Sequence, residues 1–281
     1  MRESLSRVDA LLPAEIAQRA EEVGVKKAAL DTASLLALAV LAGAFIALGA
    51  MLATVASAGA AGILPFGVTR LLAGLVFCLG LILVVLAGAE LFTGNNLIVM
   101  AWASRKISTA ALLRNWGIVY LGNFVGALAT AVLLFLTRQY TFGNGAVGQT
   151  ALSIANAKVN LDFVQAVALG IMCNALVCVA VWLTFGARTA SDKILAILFP
   201  ITAFVAAGFE HSIANMYFIP LGWFIKQFDP AFAANTGLDL TNLTPAGFLA
   251  NLIPVTIGNI IGGVVMVAGA YWFIYLRKKA G

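Results

Sequence analysis

The sequence reads GAELFTGNN from Gly88 to Asn96 and GFEHSIANM from Gly208 to Met216, and these two polar stretches decide the fold. Each interrupts an apolar run of 33 residues, the first over 71–103 and the second over 194–226. Because about 20 apolar residues are enough to cross a bilayer as a helix, each run is too long for one uninterrupted crossing. We therefore predict two membrane-spanning helices that are broken at these stretches.

Four further apolar runs accompany these two, over 33–56, 110–136, 163–187 and 247–276. The chain is 62% hydrophobic and 10% charged, whereas soluble domains are about 45–50% apolar and about 25% charged. This composition excludes a soluble enzyme, and continuous apolar runs without a period of two exclude a membrane β-barrel. The sequence predicts an all-α membrane protein with six transmembrane helices.

Several residues recur at matching positions of the two halves of the sequence. Positions that recur after 120 residues are Gly88, Glu90 and Asn95, which become Gly208, Glu210 and Asn215. Positions that recur after 136 residues are Asn115, Gly122, Asn123 and Gly126, which become Asn251, Gly258, Asn259 and Gly262. An odd number of spans per half gives the halves opposite orientations. We therefore predict an inverted repeat of three plus three helices, with helices 2 and 5 broken, as in many transporters.

The positive charges predict the orientation and the domains. Thirteen of the 17 Lys and Arg residues lie on the side of the N-terminus and four on the other side, so we expect both termini in the cytoplasm. We expect a cytoplasmic amphipathic helix within residues 1–31, a transmembrane domain over 32–276 and a basic tail over 277–281. No basic block is long enough to bind nucleic acid, and the cysteine, histidine and carboxylate spacings predict neither a metal site nor a cofactor.

A few polar residues at membrane depth are the candidates for function. His211 is the only histidine of the chain, and an ionisable residue inside a membrane is functional by default. The helix that follows each interruption would direct its N-terminal N–H groups into one shared cavity, which attracts anions. Glu90 and Glu210 are expected to accept hydrogen bonds from backbone N–H groups. Lys158 either draws anions into a vestibule or is an ordinary interfacial anchor, and its spacing does not decide between the two.

Seven stretches together resemble the formate/nitrite transporter family, and especially its formate channels. They are LLPAEIAQRAEEVGVKKA, AGAELFTGNN, RNWGIVYLGNFVGA, KVNLDFVQA, CNALVCVAVW, GFEHSIANM followed by YFIP, and NLIPVTIGNIIGG. They are spread over nearly the whole chain. The resemblance implies an aquaporin-like bundle of six helices in the inner (plasma) membrane, assembled as a homopentamer with a pore in each protomer.

The resemblance also implies a set of site residues. Thr93 would hydrogen-bond the central His211, and Lys158 would lie in the outer vestibule, where a transport role is then favoured. Asn174 and Asn215 would lie near the central chamber, and Glu210 would hold the local structure. The inner constriction would consist of Leu81, Leu91, Phe92 and Val177, and the outer one of Phe77 and Phe204.

These observations lead to a hypothesis about function. A small carboxylate loses hydration among apolar side chains, and a proton removes most of that cost. We expect a bidirectional channel or transporter for formate and similar small monovalent anions, linked to protons through His211. Nitrite and hydrosulfide remain alternative substrates. A neutral-solute facilitator of the aquaporin type would carry Asn-Pro-Ala motifs, which this sequence lacks, and a membrane enzyme would need a catalytic constellation that one histidine does not supply.

Overall fold

The computed structural model describes residues 9–277, and within them the secondary structure is helical. The α-helices are α1 (Pro13–Ala28), α2 (Thr32–Ser57), α3 (Phe66–Ala87), α4 (Val99–Ala103), α5 (Thr109–Leu136), α6 (Ala146–Val159), α7 (Phe163–Gly186), α8 (Ala190–Ala207), α9 (Ser212–Phe228), α10 (Pro230–Ala234) and α11 (Pro245–Ile261). A 3-10 turn over Gly94–Ile98 leads into α4, another over Gln139–Thr141 precedes α6, and π-helical turns over Gly262–Gly269 and Trp272–Leu276 extend α11.

Six helices are long and apolar enough to cross a membrane, which confirms the six predicted spans. They are α2, α3, α5, α7, α8 and the continuous segment Pro245–Leu276 that begins with α11. Their outer faces are rich in exposed apolar side chains, such as Phe199 at 74% exposure. An apolar exterior of this extent suits a lipid surrounding rather than water.

The two 33-residue runs each contain a non-helical segment. Helix α3 ends at Ala87 and helical structure resumes at Gly94; α8 ends at Ala207 and α9 begins at Ser212. We call residues 88–93 the first connector and residues 208–211 the second connector. Both open with a glycine in the left-handed region, φ 82° at Gly88 and φ 79° at Gly208. Glycine adopts this conformation without a steric penalty and ends helices for that reason.

Helix pairs α2–α5 and α7–α11 pack at backbone contact through glycine. A Cβ atom on Gly126 of α5 would overlap the carbonyl oxygen of Val40, and one on Gly258 of α11 would overlap that of Val167. A Cβ atom on Gly170 would lie 2.8 Å from the carbonyl oxygen of Val255. Close approach through small residues is the usual way in which membrane helices associate.

Two helices outside the bundle differ from simple surface segments. Helix α1 buries Ile16, Ala17 and Ala20 against the 97–101 region and is tied to the turn after α4 by an ion pair between Glu21 and Lys106. The predicted N-terminal segment and the basic tail extend beyond the described residues at 1–8 and 278–281. The sequence placed 137–160 in a featureless outer loop, which is wrong: α6 forms there, too short to be noticed by its apolar content.

Candidate functional site

The tips of the two connectors meet in the interior of the bundle. The Thr93 hydroxyl oxygen lies 2.9 Å from His211 Nε2, and both residues are buried. His211 Nδ1 accepts a hydrogen bond from the Ala214 N–H at 3.1 Å and thereby caps α9. Since Nδ1 acts as an acceptor, the proton of the neutral ring sits on Nε2. The hydrogen-bond network therefore assigns His211 as a donor toward Thr93.

The first connector is held by Asn123 of α5, whose side chain is fully buried. Its Oδ1 accepts a hydrogen bond from the Phe92 N–H at 2.9 Å, and its Nδ2 donates to the carbonyl oxygens of Ala39 at 2.7 Å and Glu90 at 2.9 Å. Non-helical backbone inside a membrane requires such partners, because water is absent. One amide side chain thus satisfies three backbone groups.

The second connector is held in the same way by Asn259 of α11. Its Oδ1 accepts from the Ser212 N–H at 2.9 Å, and its Nδ2 donates to the carbonyl oxygens of Gly170 and Glu210, each at 2.9 Å. Asn123 and Asn259 are one of the repeated pairs noted in the sequence. Their shared contacts supply the reason for the repetition, which is to anchor a connector.

A group of four polar residues lies beside the first connector, and we call it the N-side tetrad: Lys27, Glu90, Asn95 and Asn115. Lys27 Nζ donates to Glu90 Oε1 at 2.7 Å and to Asn95 Oδ1 at 3.0 Å. Asn95 Nδ2 donates to Glu90 Oε2 at 2.7 Å and to Asn115 Oδ1 at 2.9 Å. Asn115 closes the ring by donating to the Lys27 carbonyl oxygen at 3.1 Å.

A matching group, the far tetrad, lies beside the second connector: Lys158, Glu210, Asn215 and Asn251. Lys158 Nζ donates to Glu210 Oε1 at 2.7 Å, and Asn215 Nδ2 donates to Glu210 Oε2 and to Asn251 Oδ1, also at 2.7 Å. Asn251 donates to the Lys158 carbonyl oxygen at 2.8 Å. Here the lysine lies over the Phe218 ring, 5.3 Å from its centroid, and within the described residues Asn215 Oδ1 has no donor.

The tetrads correct one prediction. Glu90 and Glu210 were expected to accept hydrogen bonds from backbone N–H groups, and this is wrong: their carboxylates accept from lysine and asparagine side chains. A buried carboxylate needs an opposite charge within reach, because removing it from water is costly. Helices α1 and α6 supply those charges, and neither contact could be read from the local pattern.

Lys27 is the site residue that sequence reasoning missed. A signal for it exists: KAALD at 27–31 recurs as KVNLD at 158–162, which relates Lys27 to Lys158 by 131 residues. Asp31 and Asp162, the last letters of these motifs, cap α2 and α7. The backbone N–H of Ser34 bonds the Asp31 carboxylate and lowers its pKa below the ordinary value. Comparison at the offsets 120 and 136 alone passes over this third offset.

The connectors line two separate cavities rather than the one shared cavity predicted from the sequence. The N-side cavity, of about 260 Å³, lies on the side of α1 and is lined by Lys27, Leu81, Glu90, Leu91 and Asn95, among others. The far cavity, of about 600 Å³, lies at the other end of the bundle. Its lining includes Arg70, Phe77, Lys158, Phe204, Glu210 and His211.

The predicted constriction residues fall into two groups. Phe77 and Phe204 meet edge to face with ring centroids 5.6 Å apart, and Phe204 also stacks on His211 at 6.0 Å. Leu81 and Leu91 line the N-side cavity, and Val177 is buried in the core.

Two further predicted residues support the first connector from its flanks. The Phe92 ring is packed by Tyr120, with centroids 4.9 Å apart, and by Trp116 at 5.8 Å. Asn174 Nδ2 donates to the Thr93 carbonyl oxygen at 3.3 Å and to that of Asn259 at 2.7 Å. Both contacts restrain the backbone that carries the Thr93 hydroxyl.

Comparison with known proteins gives consistent matches. A family model described as "Formate/nitrite transporter" matches residues 14–273. The chain is 46% identical over 276 residues to the formate channel FocA of Escherichia coli (strain K12), covering 96% of each chain, and 41% identical to FocA of Haemophilus influenzae, covering 92% of each. A solved structure titled "Pentameric formate channel with formate bound" matches with a TM-score of 0.82 and 46% identity, over 88% of this chain and 98% of that one.

Proposed function

This chain belongs to the formate/nitrite transporter family, and from that membership we propose that it is a membrane channel for formate and similar small monovalent anions. The observation that carries the proposal is the contact between the Thr93 hydroxyl and the His211 imidazole where the two connectors meet. The family membership confirms the resemblance noted in the sequence. The relatives are named as channels, so transport rather than catalysis is the activity to test.

We propose that the chain is an inverted repeat in which helices 2 and 5 are broken at the connectors. The matching contacts of Asn123 and Asn259, and of the two tetrads, support this interpretation. So does the 2.8 Å hydrogen bond between Tyr120 and Thr256, which lie 136 residues apart. Equivalent residues touch each other only near the two-fold axis that relates the halves.

The positive charges place both termini in the cytoplasm in this proposal, so that the N-side cavity is the inner vestibule and the far cavity the outer one. The pentameric assembly of the structural neighbour suggests a pentamer for this chain as well, in the inner membrane. Each protomer would then contain its own pathway between its two cavities.

The transported anion would be neutralised at His211. Formate that leaves the far cavity meets the rings of Phe77 and Phe204, where a charge is costly. A proton taken up by the imidazole from cavity water and passed from Nε2 to the carboxylate yields formic acid and restores a neutral ring. Because Nδ1 already accepts from Ala214, this uptake requires the N-cap to open, which costs about 1 kcal/mol. The same steps in reverse give transport in the other direction.

The test is formate uptake into proteoliposomes with an imposed pH gradient. Wild-type uptake should rise when the outside is acidic, and His211→Asn, which retains a capping side chain, should respond weakly to the gradient. Thr241→Ala, in an exposed turn, is the matched control. Competition by nitrite, acetate and hydrosulfide in the same vesicles ranks the substrates. Uptake by His211→Asn that equals the wild type under every gradient would contradict the proton role.

A further inference from the structure

Arg70 reaches from the first turns of α3 to the end of α8. The two helices are in close contact next to it, where a Cβ atom on Gly74 would lie 2.6 Å from the Thr202 carbonyl oxygen. The Arg70 guanidinium donates from Nε to the Ala206 carbonyl oxygen at 3.1 Å and from Nη2 to that of Val205. These are among the last carbonyls of a helix, which have no partner within the helix itself.

The turn that Arg70 holds also carries one side of the outer aromatic contact. Phe204 directly precedes the two bonded carbonyls, and its ring meets Phe77 and stacks on His211. The guanidinium is a planar fork, so two bonds to successive carbonyls fix that turn more firmly than a single ammonium would. The position of Phe204 therefore depends on Arg70.

Arg70 also decides the charge of the far cavity. Three charged side chains line that cavity, and two of them, Lys158 and Glu210, neutralise each other at 2.7 Å. Among residues 9–277 Arg70 forms no ion pair, and its Nη1 has no protein acceptor. The far cavity thus carries one uncompensated positive charge.

The N-side cavity provides the comparison. Its charged lining residues are Lys27 and Glu90, which pair with each other at 2.7 Å and leave no net charge. The residue 120 positions after Arg70 is Ala190, at the start of α8, so the second half of the chain supplies no counterpart. The difference in charge between the cavities comes from one arginine.

We propose that Arg70, rather than the paired Lys158, is the charge that draws anions into the far cavity, and that its fork sets the outer aromatic constriction and so limits the size of the solute. The inference rests on the proposed function. A charged cavity with low-dielectric walls raises the local concentration of the opposite ion by about tenfold or more, and the effect falls as salt is added. A neutral lysine–glutamate pair exerts a much weaker field over the same distance.

Right-side-out and inside-out membrane vesicles expose the two cavities separately, with [14C]formate uptake as the readout. Arg70→Gln should raise the half-saturating formate concentration at the far face by about threefold to tenfold and flatten its salt dependence, with little change at the N-side face. Arg70→Lys retains the charge but loses the fork. It should keep the half-saturating concentration near the wild-type value while the ratio of formate to acetate uptake falls severalfold.

Arg138→Gln is the matched control, since Arg138 is exposed on the same side and lines neither cavity. Equal behaviour of Arg70→Gln and Arg138→Gln would overturn the role of Arg70. Should Arg70→Gln fail to reach the membrane, the wild type still decides: salt must slow uptake more steeply at the far face than at the N-side face, and equal slopes overturn the inference. Absence of wild-type formate uptake at both faces would instead overturn the proposed function.

Discussion

The two connectors use the same scaffold to present different tips. Each begins with a left-handed glycine, is held by a buried asparagine and adjoins a tetrad of lysine, glutamate and two asparagines. The second connector ends in a regular helix that His211 caps. The first ends in a 3-10 turn at Gly94 without a side-chain cap, although Thr93 occupies the tip.

The difference separates what supports a connector from what acts at its tip. The scaffold residues recur because every non-helical backbone group in a membrane needs a partner. The tips differ because the centre needs one hydrogen-bond donor with a titratable ring and one hydroxyl, and two identical residues would supply neither combination. Three predictions test how far the connectors are equivalent.

The largest effect is expected when a connector loses its anchor. Asn123→Leu and Asn259→Leu each leave one N–H and two carbonyl groups unpaired, at about 1–3 kcal/mol for each group. We expect both variants to lose at least about 3 kcal/mol of unfolding free energy, to a similar extent. Thermal unfolding in detergent measures this, with the exposed Asn235→Ala as the control. A loss confined to Asn259→Leu would mean that the first connector is held by other contacts.

A smaller and unequal effect is expected in the tetrads. Lys158 has a 13% exposed side chain and donates to Glu210 alone, whereas Lys27 is 25% exposed and also donates to Asn95. We expect Glu210→Gln to cost about 2–4 kcal/mol and Glu90→Gln about 1–2 kcal/mol, because the lysine left behind is more isolated in the far tetrad. Unfolding midpoints compare the two.

Glu22→Gln is the control for the tetrads, since Glu22 forms only an exposed ion pair with Arg19 at 3.6 Å. Such surface pairs contribute about 0–1 kcal/mol. Equal losses for Glu90→Gln and Glu210→Gln would show that the second acceptor of Lys27 contributes nothing to stability.

The smallest effect concerns the cap. His211→Ala removes the acceptor of the Ala214 N–H and should destabilise the first turn of α9 by about 1 kcal/mol, which corresponds to an exchange rate about fivefold faster. Hydrogen exchange of the 212–216 amides should then approach that of the uncapped turn at Gly94–Ile98. His211→Asn, which can still cap, should stay close to the wild type, and faster exchange there would contradict the capping role.

The sequence was sufficient for the spans because apolar length is a local property. It also located both connectors, since GAELFTGNN and GFEHSIANM interrupt runs that would otherwise continue. Helix α6 escaped because its 14 residues carry neither the length nor the apolar content of a span. The partners of Glu90 and Glu210 escaped for another reason: Lys27 and Lys158 lie 63 and 52 residues away along the chain, and only the packed fold brings them together.

The functional centre was predictable only in part. A single histidine in an apolar run identifies His211 without further information. Its contact with Thr93 came from the resemblance to a family, because no spacing rule relates residues 118 positions apart. Arg70 drew no attention for a similar reason, as an arginine near the start of a span is ordinary until its neighbours are known.

The glycine contacts between α2 and α5 and between α7 and α11 have a mechanical consequence. A helix that slides by one residue along its partner advances by about 1.5 Å and presents a side chain where glycine had been. At Gly126 and Gly258 that side chain would collide with a backbone oxygen. Each pair is therefore locked in one register, like a bolt in a slot, and shear between these helices is blocked. Compliance in the molecule is left to the short non-helical segments that the pairs enclose.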